Sequence, residues 1–195
     1  TEVGRWWLPG TREGDSTPPP ARHPKPALDK GNRAHNTNVY PQRPDRMYLA
    51  YIDAGMFIMD ISDKSNPKPI SRFDNSPPYT GFTHTVLPLF ERNLLVMSDE
   101  STSDNAVDWP KLIWMLDARD ETHLVPISTC PMPPLDAYAN RGGRFGAHNI
   151  PDNPPVPPAW KSAQLASAPF FHGGLLASPL SPASPPHNSY PLRPG

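Results

Sequence analysis

The 195-residue sequence has a single cysteine, almost no net charge, and no apolar run approaching the ~18 residues of a membrane span. Each shortage excludes something. One thiol, Cys130, rules out an intrachain disulfide framework. It lies between Thr129 and Pro131 at the end of a predicted strand, with no base beside it in sequence, and reads as a structural thiol rather than a nucleophile. Eighteen basic residues against nineteen acidic ones leave a formal charge of −1. They are interspersed, so there is neither a basic field for a nucleic-acid backbone nor a polybasic membrane patch. The sequence also lacks G-x-S-x-G, a P-loop, G-x-G-x-x-G and H-E-x-x-H, which removes the commonest hydrolase and nucleotide-binding chemistries. No signal peptide is visible. The sequence opens on Thr1, inside what reads as a strand, so that absence says nothing about export.

Proline is what the chain has in abundance: 30 residues, beside 12 glycines. Proline has no N–H for a helix interior or a central strand, so this composition predicts short strands joined by many turns. The turns recur. Between Arg33 and Phe73, Ala34–Tyr40 predicts a first strand and Met47–Asp53 a second. Ala54-Gly55 predicts a two-residue hairpin, Met56–Ser62 a third strand, Asp63–Pro67 a turn and Pro67–Phe73 a fourth strand. Four strands in about 40 residues is the size of one propeller blade. A second copy follows, with Phe82–Val86, Asn93–Asp99, Lys111–Asp117 and His123–Thr129 as its strands; its hairpin has grown into the loop Glu100–Pro110. A third opens at Phe145–Ile150 and continues through Ala163–Leu175.

The predicted fold is therefore all-β: a partial β-propeller of four-stranded antiparallel blades, about three repeat units, too few to close. A small antiparallel sheet cannot bury both faces alone, and the apolar strands predict blades covered on both sides by their neighbours. A β-sandwich also has many short strands but offers no reason for a four-strand period. The expected organisation is the last strand of a preceding blade over 1–10 and a Pro-rich connection over 11–32. Blades follow at 33–74 and 82–130, then a loop at 131–143 and a degenerate partial blade at 144–174. After Lys161 only Arg193 carries a formal charge, and 175–195 reads either as a low-complexity tail or as the product of a shifted reading frame.

The first unit resembles the LVIVD repeat, in which a strand ends in Asp, a Gly turn follows, and a run ending in Asp-Val-Ser leads to Asn-Pro and a return strand. Asp53, Gly55, Asp60-Ile61-Ser62 and Asn66-Pro67 occupy those positions. The resemblance is close over 33–74, moderate over 82–130 and weak beyond 150. It implies a bacterial-type propeller, often exported to the periplasm or beyond, with no general activity attached to the family.

The repeat also aligns three histidines. His35, His84 and His148 open their units and are followed by Asn36, Thr85 and Asn149. If each opens the innermost strand of its blade, the imidazoles face one axis, and three histidines with an open coordination position suit Zn, Cu or Fe. Glu100 or Asp99 is placed to add a carboxylate. The competing reading is structural: a repeated His-Asn or His-Thr that holds a neighbouring blade's carbonyl. Asp99–Asp104 is rich in oxygen donors but lacks the Gly and terminal Glu of an EF-hand loop. Trp109, in a loop, is the aromatic candidate for a ligand surface beside Glu100, whereas Trp114 reads as core. Two functions follow as expectations. One is a scaffold binding an unidentified protein or small molecule. The other is a metal-dependent, oxidoreductase-like enzyme built on His35, His84 and His148.

Overall fold

A computed structural model describes residues 1–151 and 161–180. The chain is all-β, a partial propeller of three antiparallel sheets. The first sheet is a meander of β1 (Thr37–Tyr40), β2 (Arg43–Ala50), β3 (Met56–Asp60) and β4 (Lys68–Phe73). The second repeats it with β5 (Thr83–Leu89), β6 (Leu94–Asp99), β7 (Ile113–Asp117) and β8 (Val125–Thr129). A hairpin of β9 (Leu165–Phe170) and β10 (Gly174–Pro179) forms the third. One short helix, α1 (Leu135–Tyr138), lies in the connection between the second and third units. Among the described residues no helix is long and apolar enough to cross a membrane.

Side-chain alternation explains the stacking. Met56 and Ile58 of β3 enter one apolar cluster with Leu95, Met97, Trp114 and Leu116 of the second sheet. Their alternates Phe57 and Met59 point the other way, to Leu49, Tyr51 and Leu8. In the second sheet Val96, Ile113 and Met115 face Ala166, Ala168 and Phe170 of the hairpin. Successive residues thus serve opposite faces, and both inner strands are buried on both sides. The outer strands are not: every residue of β8 is exposed.

The two complete blades share local chemistry as well as order. In each, a bulge interrupts the pairing of third and fourth strands, at Ile58/Met59 opposite Pro69 and at Met115/Leu116 opposite Pro126. Proline is tolerated there because these are edge strands with no further ladder to feed. The acidic turn residues are Asx caps. Asp60 and Asp63 accept the backbone N–H groups of Ser62 and Ser65, and Asp117 and Asp120 accept those of Arg119 and Thr122.

The β2–β3 turn is wider than a two-residue hairpin. It spans Tyr51–Gly55, with Tyr51 N–H donating to Gly55 O at 2.8 Å and positive φ at Ile52 (43°) and Gly55 (78°). A Cβ at Gly55 would lie 2.1 Å from Phe73 O, so only glycine fits. The third unit reproduces the device, with positive φ at Phe171 (21°) and Gly174 (82°) and Phe170 paired with Gly174. Its hairpin therefore runs through Pro179, past the expected limit at 174, and Leu180 is fully buried. Small Ala166 and Ala168 let the hairpin sit against the second blade. The remainder of the expected tail, 181–195, lies outside the described residues.

The segment 1–10 forms no strand. It lies across the face of the first sheet: Trp6 contacts Tyr51 and Phe57 edge-on at 5.7 and 5.2 Å, and Leu8 N–H donates to Tyr51 Oη at 3.2 Å.

Glu121, in the turn between β7 and β8, clamps the two blades by accepting from Arg46 at 2.7 Å and Arg43 at 3.1 Å. Hydrogen bonding by Arg46 holds its carboxyl below the usual carboxylate range. A depressed carboxyl stabilises the fold fully above its unfolded-state pKa of about 4.3 and stops doing so as pH falls through the lower folded value. Glu121→Gln is expected to cost about 1 kcal/mol at pH 7, a difference that vanishes in strong acid; urea unfolding at both conditions checks it.

Cys130 packs in the cluster between the second and third units, and burial pushes its thiol up to about 11. Native protein at pH 8 should react with a thiol reagent more than about 100-fold more slowly than unfolded protein.

Candidate metal centre

The three aligned histidines come together. The His35 and His84 ring centroids are 4.3 Å apart, and those of His84 and His148 4.8 Å. The backbone brings this about through links between successive units. Thr83 N–H donates to Ile52 O at 3.0 Å, and Ser101 N–H donates to Ala147 O at 3.1 Å. In each case the start of one unit is tied to the loop after the second strand of the unit before it.

Each histidine is presented differently. His35 extends the inner ladder, its N–H donating to Ala50 O at 2.9 Å. His84 sits in a bulge of β5, because Thr83 pairs with Asp99 and Thr85 with Ser98, leaving His84 as the extra residue. A bulge re-aims a side chain, here toward the common axis. His148 follows the buried Ala147 outside any strand and is half-buried.

The nitrogens are sorted by their neighbours. His35 Nδ1 lies 3.1 Å from Asn36 Oδ1, an acceptor, so Nδ1–H donates to it. His84 Nδ1 lies 2.7 Å from Thr85 Oγ1, which also accepts from Asn36 Nδ2 at 3.2 Å. The side chain of the residue after each of these histidines thus engages Nδ1, the kind of contact that orients metal-ligating imidazoles, and Nε2 makes no hydrogen bond among the described residues. Among the described residues none of the three holds a neighbouring blade's carbonyl.

Glu100 supplies the carboxylate. Its N–H donates to Phe82 O at 2.8 Å, fixing it directly after β6, and its side chain is nearly buried. One oxygen, Oε2, lies 3.8 Å from His84 Nε2; the other, Oε1, lies 3.5 Å from His148 Nε2 and accepts from Arg144 Nη1 at 2.8 Å. Burial, with added repulsion from His35 and His148, pushes the His84 imidazole down to about 4. It is neutral at physiological pH, so the 3.8 Å contact with Glu100 is a gap between two potential ligands and not an ion pair.

His35, His84 and Glu100 each offer one ligand atom, all within 4.8 Å of one another. Ligands around a tetrahedral zinc ion stand about 3.3 Å apart, so closing the set takes side-chain shifts of the order of 1 Å. Neutral imidazole nitrogen and carboxylate oxygen suit Zn, Cu or Fe. His148 lies beside this triad, stacked on Phe171 at 5.0 Å.

Asp99, the other carboxylate considered from sequence, serves the core. It is fully buried and accepts from Trp114 Nε1 at 2.9 Å and Asn75 Nδ2 at 3.0 Å. Burial raises its pKa. One face of the Trp109 ring is covered by Phe145 at 5.3 Å. Sequence reasoning missed Arg144 and Phe171. Neither repeats between units, so the periodicity that exposed the histidines carried no signal for them. No protein-family model, curated protein or solved structure matches the chain.

Proposed function

We propose that this chain is a metal-binding β-propeller module that holds one divalent transition ion, Zn, Cu or Fe, through His35, His84 and Glu100, with His148 as an adjacent fourth donor. One observation carries the reading: two consecutive repeats converge two imidazoles and a carboxylate to within 4.8 Å, with Nδ1 of each imidazole already engaged. Two histidines and one carboxylate leave coordination positions open for a ligand. An iron or copper ion there would support oxidoreductase chemistry, and zinc would supply a Lewis acid. The pattern around Asp53, Gly55 and Asn66-Pro67 supports placing the chain among the LVIVD-repeat propellers, and with that goes the expectation of an exported protein.

A metal-free scaffold is the second reading. It is favoured by a groove of about 450 Å³ at the opposite end of the sheets, lined in part by Arg43, Tyr48, Phe90 and Glu121. Cobalt titration of metal-stripped protein separates the two. Saturable binding of one equivalent with visible d–d absorption, lost in the triple variant His35→Ala/His84→Ala/His148→Ala, supports the metal centre. Absence of saturable binding to the wild-type chain rejects it in favour of the scaffold.

A further inference from the structure

We infer that the proposed metal centre carries an anion subsite at Arg144, so that the ligand completing the coordination sphere is a small carboxylate-bearing molecule; this rests on the metal reading above. Arg144 uses Nη1 alone to bind the site, donating to Glu100 Oε1 at 2.8 Å and more weakly to Ser101 O at 3.4 Å. Nε and Nη2 have no acceptor among the described residues. These two donors form one edge of a planar fork, the geometry that receives a carboxylate through two parallel hydrogen bonds. The side chain is 44% exposed, so the free edge is reachable from solvent.

The fork is held in place. Its guanidinium carbon lies 5.2 Å over the Phe171 ring, and the His148 imidazole stacks on that same ring at 5.0 Å. Arg144, Phe171 and His148 therefore form one wall next to the triad. The backbone at Arg144 is fixed as well, by its bridge to Asp104 and by His172 N–H donating to Arg144 O at 3.4 Å.

Charge favours an anion. Glu100 divides its two oxygens, Oε2 toward His84 and Oε1 toward Arg144 and His148. A divalent ion bound by neutral imidazoles and this single carboxylate keeps one positive charge, and Arg144 adds another beside it. Glu100 is the only carboxylate paired with the Arg144 guanidinium among the described residues. An incoming carboxylate would offset that excess, while an oxygen donor on the same molecule fills an open metal position.

The probe is glycolate, titrated into cobalt-loaded full-length protein and followed by visible absorption. Saturable binding is expected, at least about tenfold tighter than binding of glycolamide, its neutral analogue. Arg144→Gln should weaken glycolate at least about tenfold while leaving glycolamide within about threefold. Equal affinity of the wild type for glycolate and glycolamide overturns the subsite without recourse to any variant. Unchanged glycolate affinity in Arg144→Gln does so too. Failure of the cobalt titration before any glycolate is added overturns the metal reading and this inference together; normal cobalt loading with no glycolate response overturns this inference alone.

Discussion

Replacing Lys111 with alanine is expected to destabilise the protein by about 3–5 kcal/mol, the largest single effect among the charged residues. Lys111 is fully buried at the start of the segment leading into β7. Its ammonium donates to Gly81 O at 2.8 Å and Thr80 O at 3.3 Å, and stands 3.7 Å from Asp108 Oδ2, a carboxylate that is itself 1% exposed. Burial lowers the Lys111 pKa, while Asp99, Asp108 and Asp53 act in the opposite direction. The ammonium is thus the counter-charge for a buried acidic group and ties the Thr80–Gly81 turn to the second blade. Removing it leaves Asp108 with only Ser101 and Thr102 as donors and strips two carbonyls of their partner. Lys111→Met, which keeps the stem's packing, should recover part of the loss but remain well below wild type. Urea unfolding of the three proteins measures this. A cost below about 1 kcal/mol for Lys111→Ala would mean that the charge network contributes nothing net.

The second large effect concerns metal affinity. His84→Ala is expected to weaken cobalt or zinc binding at least about 100-fold, because His84 belongs to the tight triad and is the only buried imidazole of the three histidines. His148→Ala should cost less than about tenfold, since His148 lies outside the tight triad. Thr85→Val tests the orientation of His84. Removing the hydroxyl that anchors Nδ1 at 2.7 Å should weaken the metal roughly 10-fold without deleting a ligand. Competition against a chelator of known affinity gives the three values. Equal effects for His84 and His148 would instead favour a symmetric three-histidine ring.

The graded expectation for these histidines reflects how much of the site was legible in sequence. The repeat period aligned His35, His84 and His148 because a blade copies its opening residues together with its strands, and Glu100 followed as the first residue of the enlarged loop. The period could not say that the bulge at Thr83/Thr85 re-aims His84, or that Glu100 splits its oxygens between His84 and Arg144. Those depend on tertiary approach. Arg144 and Phe171 have no counterpart of the same residue type in the other units, and Lys111 looked like an ordinary polar residue at a strand boundary.

The fold was legible for a related reason. Alternating apolar residues in Met56–Asp60 and Ile113–Asp117 serve two neighbours at once, so both blade faces had to be covered. Segment 1–10 forms no strand, and its Trp6 serves as a cover over Tyr51 and Phe57. The low charge after Lys161 obscured a hairpin that forms all the same, since the Gly174 turn and small Ala166 and Ala168 suffice for its pairing and packing.

The most direct test of the metal centre is anomalous diffraction at the zinc edge from crystals of the full-length protein equilibrated with zinc. The account predicts one anomalous peak within about 2.2 Å of a nitrogen of His35, a nitrogen of His84 and an oxygen of Glu100. A peak bound elsewhere, or none at this site under saturating zinc, would contradict it.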